Sequence, residues 1–201
     1  EYLACGLRNR NSPITILCCD NIRQNGRALE AQFLAYLYQT NQIELANWVR
    51  ENVSFPSCMV DRITPRTDDP LRFEVEELFP SYGKTAIQTE EFTQWVIEDD
   101  FAAEFPDLTE VGVTITKNLE PYEETKIRIL NGGHTSLAYL GVLSGYSTFD
   151  EVMSDKAHLK HFKLLQSEEI VPSIEMDLPF DIDEYVETIE ERLSAAYNND
   201  H

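Results

Sequence analysis

The chain lacks the features of membrane and nucleic-acid-binding proteins. None of its apolar runs reaches the length of about 18 residues that a spanning helix needs, so we expect no transmembrane segment. Its 16 basic residues are outnumbered by 36 acidic ones, for a formal net charge of −20. Such a charge is unfavourable for binding DNA, RNA or an anionic membrane. Without a signal-peptide pattern at residue 1, we expect a cytoplasmic protein.

Cysteine and glycine are also sparse. The four cysteines form no CxxC pair, so we expect buried free thiols rather than metal ligands or disulfides; they are Cys5, Cys18, Cys19 and Cys58. None of the eight glycines belongs to a GxGxxG fingerprint after a strand. The chain therefore carries no recognisable loop for cradling the phosphates of a dinucleotide.

What is present is enough for a substantial core, because 42% of the 201 residues are apolar. Residues 14–18 are short, apolar and β-branched, which predicts a strand buried in a parallel sheet. This strand ends at Asp20 and Asn21, at the carboxyl edge where α/β proteins gather ligands. By local chemistry alone, Asp20 or Asn21 equally fits the N-cap of the next helix.

The remaining pattern alternates strands and helices and then becomes helical. Further strands are expected at 94–98 and 111–116. We predict helices at 3–10, 28–38, 41–52, from about 123 onward, from 148, at 156–170 and at 183–197. Residues 55–65 should be irregular, 66–72 a polar loop, and 73–79 a short helix or an irregular crossing.

One stretch combines a lysine, a carboxamide and an imidazole. On an α-helix, Asn131 lies about 140° and His134 about 80° around the axis from Lys126, so the three share one broad face. A lysine in a low dielectric can act as a general base, and amide and ring N–H groups can hold a carbonyl or alkoxide oxygen. The alternative is a partly exposed helix on which all three side chains face water.

This stretch resembles the catalytic signature of a known enzyme family. Lys126-x4-Asn131-x2-His134, followed by Thr135 and residues 137–141, is similar to the signature of the polyol-specific long-chain dehydrogenases, which include mannitol 2-dehydrogenase and fructuronate reductase. Four further segments resemble the same family, in its usual order: residues 19–26, 55–65, 94–101 and 168–172.

The resemblance implies an α+β to mainly α fold. Residues 1–122 would be the last part of a Rossmann-type dinucleotide-binding domain, without its glycine-rich part. Residues 123–201 would begin an all-helical substrate domain similar to the C-terminal domain of 6-phosphogluconate dehydrogenase. The chain would thus be the central to C-terminal portion of a longer enzyme.

It also implies a function and a site. The parent enzyme would interconvert a sugar alcohol, or a hydroxy-uronate, and its keto form with NAD or NADP and without a metal. Lys126 would be the general base, Asn131 and Asn21 would hold the reacting oxygen, and His134 would orient the substrate. Asp61 would touch the polyol or orient the site, and Glu123 would gate the proton that leaves the lysine.

Asp61 and Glu123 each have a simpler alternative role, in an ion pair. Asp61 could form a structural ion pair with Arg62, and Glu123 could pair with Lys126 one helical turn away.

Two other classes of function stay open. One is a catalytically silent, acidic interaction domain that keeps the fold. The other is a metal-dependent enzyme, whose expected ligands would be Glu98, Asp99, Asp100 and His158. Consecutive acids on a strand diverge, however, and His158 with His161 lacks a third ligand at a defined spacing, so we expect no metal. The expected partner is a small polyol, keto-sugar or uronate.

Overall fold

The computed structural model describes residues 1–195 and divides the chain into two compact units. The first unit comprises Glu1–Val60 and Gln94–Glu123, and the second comprises Asp61–Thr93 and the chain from Glu124 on. Residues 61–93 therefore belong with the helical part, which the contiguous division at 122/123 does not anticipate. That division stays a prediction for the domains of the longer protein.

Helices dominate the described chain. In chain order they are α1 Tyr2–Leu7, α2 Asn25–Gln39, α3 Ile43–Asn52, α4 Asp69–Leu78, α5 Glu120–Thr125, α6 Gly132–Ser144, α7 Phe149–Ser154, α8 Lys156–Leu164 and α9 Ile182–Leu193. Two π-helical turns occupy Lys126–Asn131 and Leu165–Ile170. Short 3-10 turns occupy Gly83–Thr85, Leu108–Val111 and Val171–Ser173. No helix within residues 1–195 is long and apolar enough to cross a membrane.

Within residues 1–195, five short strands form two sheets. They are β1 Ile14–Thr15, β2 Val53–Ser54, β3 Cys58–Asp61, β4 Gln94–Glu98 and β5 Thr114–Thr116. β1 pairs in parallel with β2, and α2 and α3 form the crossover between them, as parallel strands require. β3, β4 and β5 form the second sheet, in which β4 and β5 are parallel. The expected parallel strand at 14–18 is present at Ile14–Thr15, and the Ile16 N–H adds one bond to the Ser54 carbonyl at 3.0 Å. Residues 14–18 are half-buried rather than buried as predicted.

The start of α2 is fixed by two buried residues. A Cβ on Gly26 would lie 2.2 Å from the Phe55 carbonyl oxygen, so only glycine allows the helix to approach this backbone. The side chain of Asn25 binds Cys58 at both ends, with Nδ2 donating to its carbonyl at 2.8 Å and Oδ1 accepting from its N–H at 2.9 Å. The first turn of α2 is thereby bound to the first residue of β3.

The second unit has one main apolar core, to which α6 to α9 and the first π turn contribute. Its buried members are Ile129, Leu130, Leu137, Val152, Met153, Phe162, Tyr185, Ile189 and Leu193. The first unit holds separate clusters, the largest of which lies between α1, α2 and α3. The deeply buried Leu37 and Val49 come from the predicted helices at 28–38 and 41–52.

Several local predictions are wrong, and each has a local reason. Residues 55–65 are not wholly irregular, because β3 joins the sheet inside them. The segment at 66–72 is not a loop throughout: Asp68 caps α4 by accepting from the Leu71 N–H at 2.9 Å, so the helix begins at Asp69. Neither Asp20 nor Asn21 caps α2, whose N-cap is Gln24.

Other boundaries shift. The helix expected from about 123 starts at Glu120, and the one expected at 156–170 changes to π geometry at Leu165. The last helix ends at Leu193 rather than at 197, and residues 196–201 lie outside the described chain. The cysteines are free, as expected, but only Cys58 is buried, because Cys5 and Cys19 are exposed and Cys18 is half-buried.

Candidate functional site

The signature lysine lies on a π turn rather than on a regular α-helix. Lys126 opens the turn and Asn131 closes it, and the Gly132 N–H after it donates to the carbonyl of Ile127, five residues back. Each residue of a π turn rotates less around the helix axis than a residue of an α-helix. Residues five apart are therefore separated by a smaller angle than the roughly 140° of an α-helix. The backbone positions of Lys126 and Asn131 are therefore closer to one face than a regular α-helix would place them.

Lys126 is buried, with 7% of its surface exposed, whereas Asn131 is half-buried. The backbone of the turn is anchored by Ile129 and Leu130, which are buried in the apolar core of the second unit. The alternative in which the lysine faces open water is therefore wrong.

His134 follows in the first turn of α6. Its ring is half-buried and lies against the ring of Phe149, with centroids 4.7 Å apart and planes at 42°. Phe149 begins α7, so the packing of α7 sets the direction of the imidazole. The structure thus places Lys126, Asn131 and His134 on consecutive turns of one helical run.

A buried glutamine, which sequence reasoning missed, supports the backbone of the helical run that carries Lys126, Asn131 and His134. Gln166 is completely buried, and its Nε2 donates to the carbonyl of Ile129 at 3.0 Å. A Cβ on Gly133 would lie 2.8 Å from the same Nε2 and 2.9 Å from the ring of Phe162. Because Gly133 has no side chain, Gln166 can reach the backbone of the first π turn from the second.

Arg128 joins the first π turn to the 3-10 turn that follows the second π turn, on the exposed side. Its Nη1 donates to the Ser173 carbonyl at 3.1 Å and to Ser173 Oγ at 2.9 Å, and its Nε pairs with Glu124. Ser173 ends the 3-10 turn that follows the second π turn. The first π turn therefore has a buried support from Gln166 and an exposed one from Arg128.

Asp61 belongs to a buried ion cluster centred on Arg192. Both of its oxygens accept from Arg192, at 2.8 and 2.9 Å. The same guanidinium donates to both oxygens of Glu90, at 2.7 and 3.0 Å. It also lies over the ring of Phe92, 4.0 Å from the centroid. The expected pair of Asp61 with Arg62 is wrong, because Arg62 is exposed and donates to the carbonyl of Glu90 instead.

In this cluster the carboxyl groups of Asp61 and Glu90 share one guanidinium. Burial acts to lower the pKa of Arg192, but the hydrogen bonds and charges of Asp61 and Glu90 outweigh it and raise that pKa above its ordinary value. Burial, with the charge of Asp61, also raises the pKa of Tyr185. Arg192 therefore stays charged and holds Asp61 in one orientation.

The other two predicted site residues, Asn21 and Glu123, lie in the first unit. Asn21 is exposed in the irregular segment between β1 and α2. Glu123 is buried, and its Oε1 accepts from the backbone N–H of Gln24 at 2.9 Å. Burial raises its pKa, against the lowering effect of that hydrogen bond and of Arg23. Glu123 thus supports the end of the segment that carries Asn21.

The metal alternative finds no support in the geometry. Within the part of the chain that the structure describes, no three His, Cys, Asp or Glu residues form a group that could hold an ion. Glu98 pairs with Arg27 at 2.7 Å and accepts from the Ser57 N–H at 3.1 Å, which gives it a structural role. His158 bonds Ser144 at 2.8 Å and lies beside Asp155, which caps α8.

Two family profiles cover the chain almost from end to end. Residues 1–110 match the mannitol dehydrogenase Rossmann domain, and residues 118–201 match the mannitol dehydrogenase C-terminal domain. Together with the solved structures below, this confirms the predicted fold class: a Rossmann-type domain followed by a helical C-terminal domain.

Named relatives agree with this assignment. D-mannonate oxidoreductase of Escherichia coli is 38% identical over 197 residues, which cover 96% of this chain and 40% of that protein. A crystal structure of D-sorbitol dehydrogenase in substrate-free form is 31% identical, with a TM-score of 0.88 over 100% of this chain and 42% of that one.

Mannitol 2-dehydrogenase of Pseudomonas fluorescens, solved as a ternary complex with NAD and D-mannitol, is 35% identical. Its TM-score is 0.77, over 92% of this chain and 38% of that one. The chain spans about two-fifths of the length of the curated relatives that it matches.

Proposed function

Since the chain belongs to the mannitol dehydrogenase family, we propose that the longer protein interconverts a sugar alcohol, or a hydroxy-uronate, and its keto form. The nicotinamide of NAD or NADP supplies or takes the hydride in this reaction. The names of the relatives support both substrate classes, because one names mannitol and another names mannonate. No residue of this chain is assigned to the cofactor, because its eight glycines contain no dinucleotide fingerprint.

Lys126 is the proposed general base, which accepts the proton of the reacting hydroxyl. The observation that supports this proposal is the burial of Lys126, at 7% exposure, at the start of a π turn that ends at Asn131. An amine held in a low dielectric beside a neutral carboxamide is suited to accept a proton without a metal.

Asn131 and His134 are proposed to hold the oxygen as it gains negative charge. Each offers an N–H donor, and both are half-buried, where a hydrogen bond to a charged oxygen is stronger than in water. The packing of His134 on Phe149 limits the rotation of the ring, so its donor is oriented before substrate binds. Asn21 as a second carboxamide stays a prediction from the family resemblance.

Asp61 is proposed to orient the site rather than to hold the polyol by itself. Both of its oxygens already accept charge-assisted hydrogen bonds from Arg192, which fix the carboxylate within the second unit. Glu123 as a proton gate also stays a prediction, and its raised pKa supports it, since a carboxyl that titrates closer to neutral pH exchanges protons more readily.

The test is turnover of the full-length protein with a panel of sugar alcohols, ketoses and uronates, each with NAD and NADP. Lys126→Ala is expected to lower kcat by about 10²–10⁴-fold at neutral pH, the usual contribution of a general base, while cofactor affinity is largely kept. Lys160→Ala, which removes an exposed lysine of α8 in the same unit, is the matched control. Near-normal kcat in the Lys126 variant would contradict the assignment of the base.

The same assays address the two other classes of function. A metal-dependent enzyme would lose turnover in a chelator. The proposed mechanism predicts that turnover is unchanged there. A catalytically silent interaction domain would show no turnover with any member of the panel, and no feature of the structure favours it over the enzyme.

A further inference from the structure

Two of the four cysteines lie within reach of each other in the first unit. Cys58 Sγ is 4.0 Å from Cys19 Sγ, and it donates to the carbonyl of Cys18 at 2.9 Å. A disulfide bond is about 2.05 Å long, so the two sulfur atoms need to approach by only about 2 Å. Cys19 and Cys58 are 39 residues apart in sequence, and no spacing motif links them.

The two thiols differ in a way that suits sequential oxidation. Cys19 is exposed and meets a dissolved oxidant directly, whereas Cys58 is 2% exposed at the first residue of β3. Burial, with the neighbouring Cys19, raises the pKa of Cys58 to about 11, so it stays a protonated thiol at neutral pH. The exposed sulfur therefore reacts first, and the buried one, as a protonated thiol, attacks the product more slowly.

We propose that Cys19 and Cys58 form a reversible disulfide when the protein meets a disulfide oxidant such as oxidised glutathione. Cys19 attacks the oxidant, forms a mixed disulfide and releases one molecule of reduced glutathione. Cys58 then attacks Cys19 Sγ and releases the second molecule. The two cysteine protons end on the two released glutathione thiols, and the two electrons reduce the oxidant.

The bond would shift the segment that carries Asn21. Cys58 is held in β3, and its backbone is bound on both sides by Asn25, whereas Cys19 lies in the irregular segment before α2. The approach of the two sulfurs therefore displaces Cys19 and the adjacent Asp20, whose carbonyl accepts from Asn25 Nδ2 at 2.9 Å. Where the proposed function holds, turnover falls, because Asn21 follows directly.

The modification is tested by peptide mapping under non-reducing conditions, after equilibration in glutathione buffers of rising oxidised-to-reduced ratio. A crosslink between the peptides that contain residues 19 and 58 is expected in the parent protein and in Cys5→Ser and Cys18→Ser. It should be absent from Cys19→Ser and Cys58→Ser. No crosslink at any ratio, or a crosslink that moves to Cys18 or Cys5, would overturn the proposal.

The effect on the site is tested in the full-length enzyme. Oxidation is expected to lower kcat by about tenfold or more, with recovery in dithiothreitol, because a displacement of about 1 Å can already cost that much. Cys19→Ser, which lacks the exposed thiol that meets the oxidant, should keep its turnover under the same oxidation. A complete crosslink with unchanged turnover would overturn the effect on the site. Failure of the catalytic assignment itself would appear separately, in Lys126→Ala of the reduced enzyme.

Discussion

The second unit buries two groups of polar side chains, and it stabilises them in different ways. The cluster of Asp61, Glu90 and Arg192 is held by four hydrogen bonds between charged groups. The contact between the two π turns depends on one buried bond between neutral groups, from Gln166 to Ile129. Charge stabilises the ion cluster. The contact of Gln166 with the first π turn is possible because Gly133 has no side chain in the space between them.

The difference bears on what each group can support. Breaking a buried ion cluster leaves an uncompensated charge, so the cluster is suited to fix a residue such as Asp61 against any movement. A single neutral hydrogen bond contributes only about 1 kcal/mol, so the bond from Gln166 contributes less to the π turn than the charged bonds contribute to the position of Asp61. The variants below should rank accordingly.

Arg192→Met should have the largest effect on stability. It leaves Asp61 and Glu90 buried without their cation, which is expected to lower the free energy of unfolding by about 3–5 kcal/mol. Chemical denaturation measures the loss. A triple variant that also carries Asp61→Asn and Glu90→Gln should recover part of it. If Arg192→Met alone cost less than about 1 kcal/mol, the cluster would not be the main support of Asp61.

Gly133→Ala should come next, at about 1–3 kcal/mol, because its Cβ would lie under 3 Å from both Gln166 and Phe162. Since the displaced group supports the π turn, kcat should fall more than KM rises. Gly6→Ala, at a position with open space around the new Cβ, is the matched control for a glycine substitution inside a helix. Equal effects of the two substitutions on kcat would contradict the role of this contact.

Gln166→Met should follow at about 1–2 kcal/mol, because it keeps the volume but leaves the Ile129 carbonyl without its buried donor. Hydrogen exchange of the amides in Lys126–Asn131 should become faster. Ser167→Ala, which alters the exposed neighbour, serves as the control. Gln166 contacts the turn and not the reacting atoms. Adding Gln166→Met to Lys126→Ala should therefore lower kcat little further.

Glu123→Gln should have the smallest effect, and it should depend on pH. Burial raises the pKa of Glu123 above its ordinary value of 4.5, so the native carboxylate becomes less favourable as pH rises through the folded pKa. The glutamine variant, whose carbonyl still accepts from Gln24, should therefore be slightly more stable at neutral pH. The two stabilities should converge as pH falls to 4.5, and a gap that widened on acidification would contradict the sign.

Much of this arrangement could be predicted from the sequence. The strand at 94–98, the helices around Phe33 and Val49 and the fold class followed from periodicity and from the resemblance. Lys126, Asn131 and His134 were found because they lie within nine residues of each other, where spacing carries information. The local sequence pattern was least successful at the ends of helices. Asp68, for example, caps a helix but lies inside the stretch that was predicted to be a loop.

The supports of the site could not be predicted. Arg192 is 131 residues from Asp61, and Arg62 stood next to it as a plausible partner. Gln166 lies inside a stretch whose apolar spacing fits a helix equally well with i→i+4 or i→i+5 bonds, so the π geometry leaves no mark in the pattern. Only the buried position of an uncharged polar side chain, which is costly without a partner, distinguishes Gln166, and burial is known only from the structure.

The π turn at Lys126–Asn131 also affects how lengths should be compared between related chains. A single π turn accommodates one residue more than a turn of α-helix. In a regular α-helix, the same extra residue would rotate every later side chain by about 100° around the helix axis. Loss of one residue between Lys126 and Asn131 would therefore leave a regular helix with a similar pairing of lysine and asparagine. An alignment gap at this point would thus be a change of backbone geometry and not a neutral loss of length.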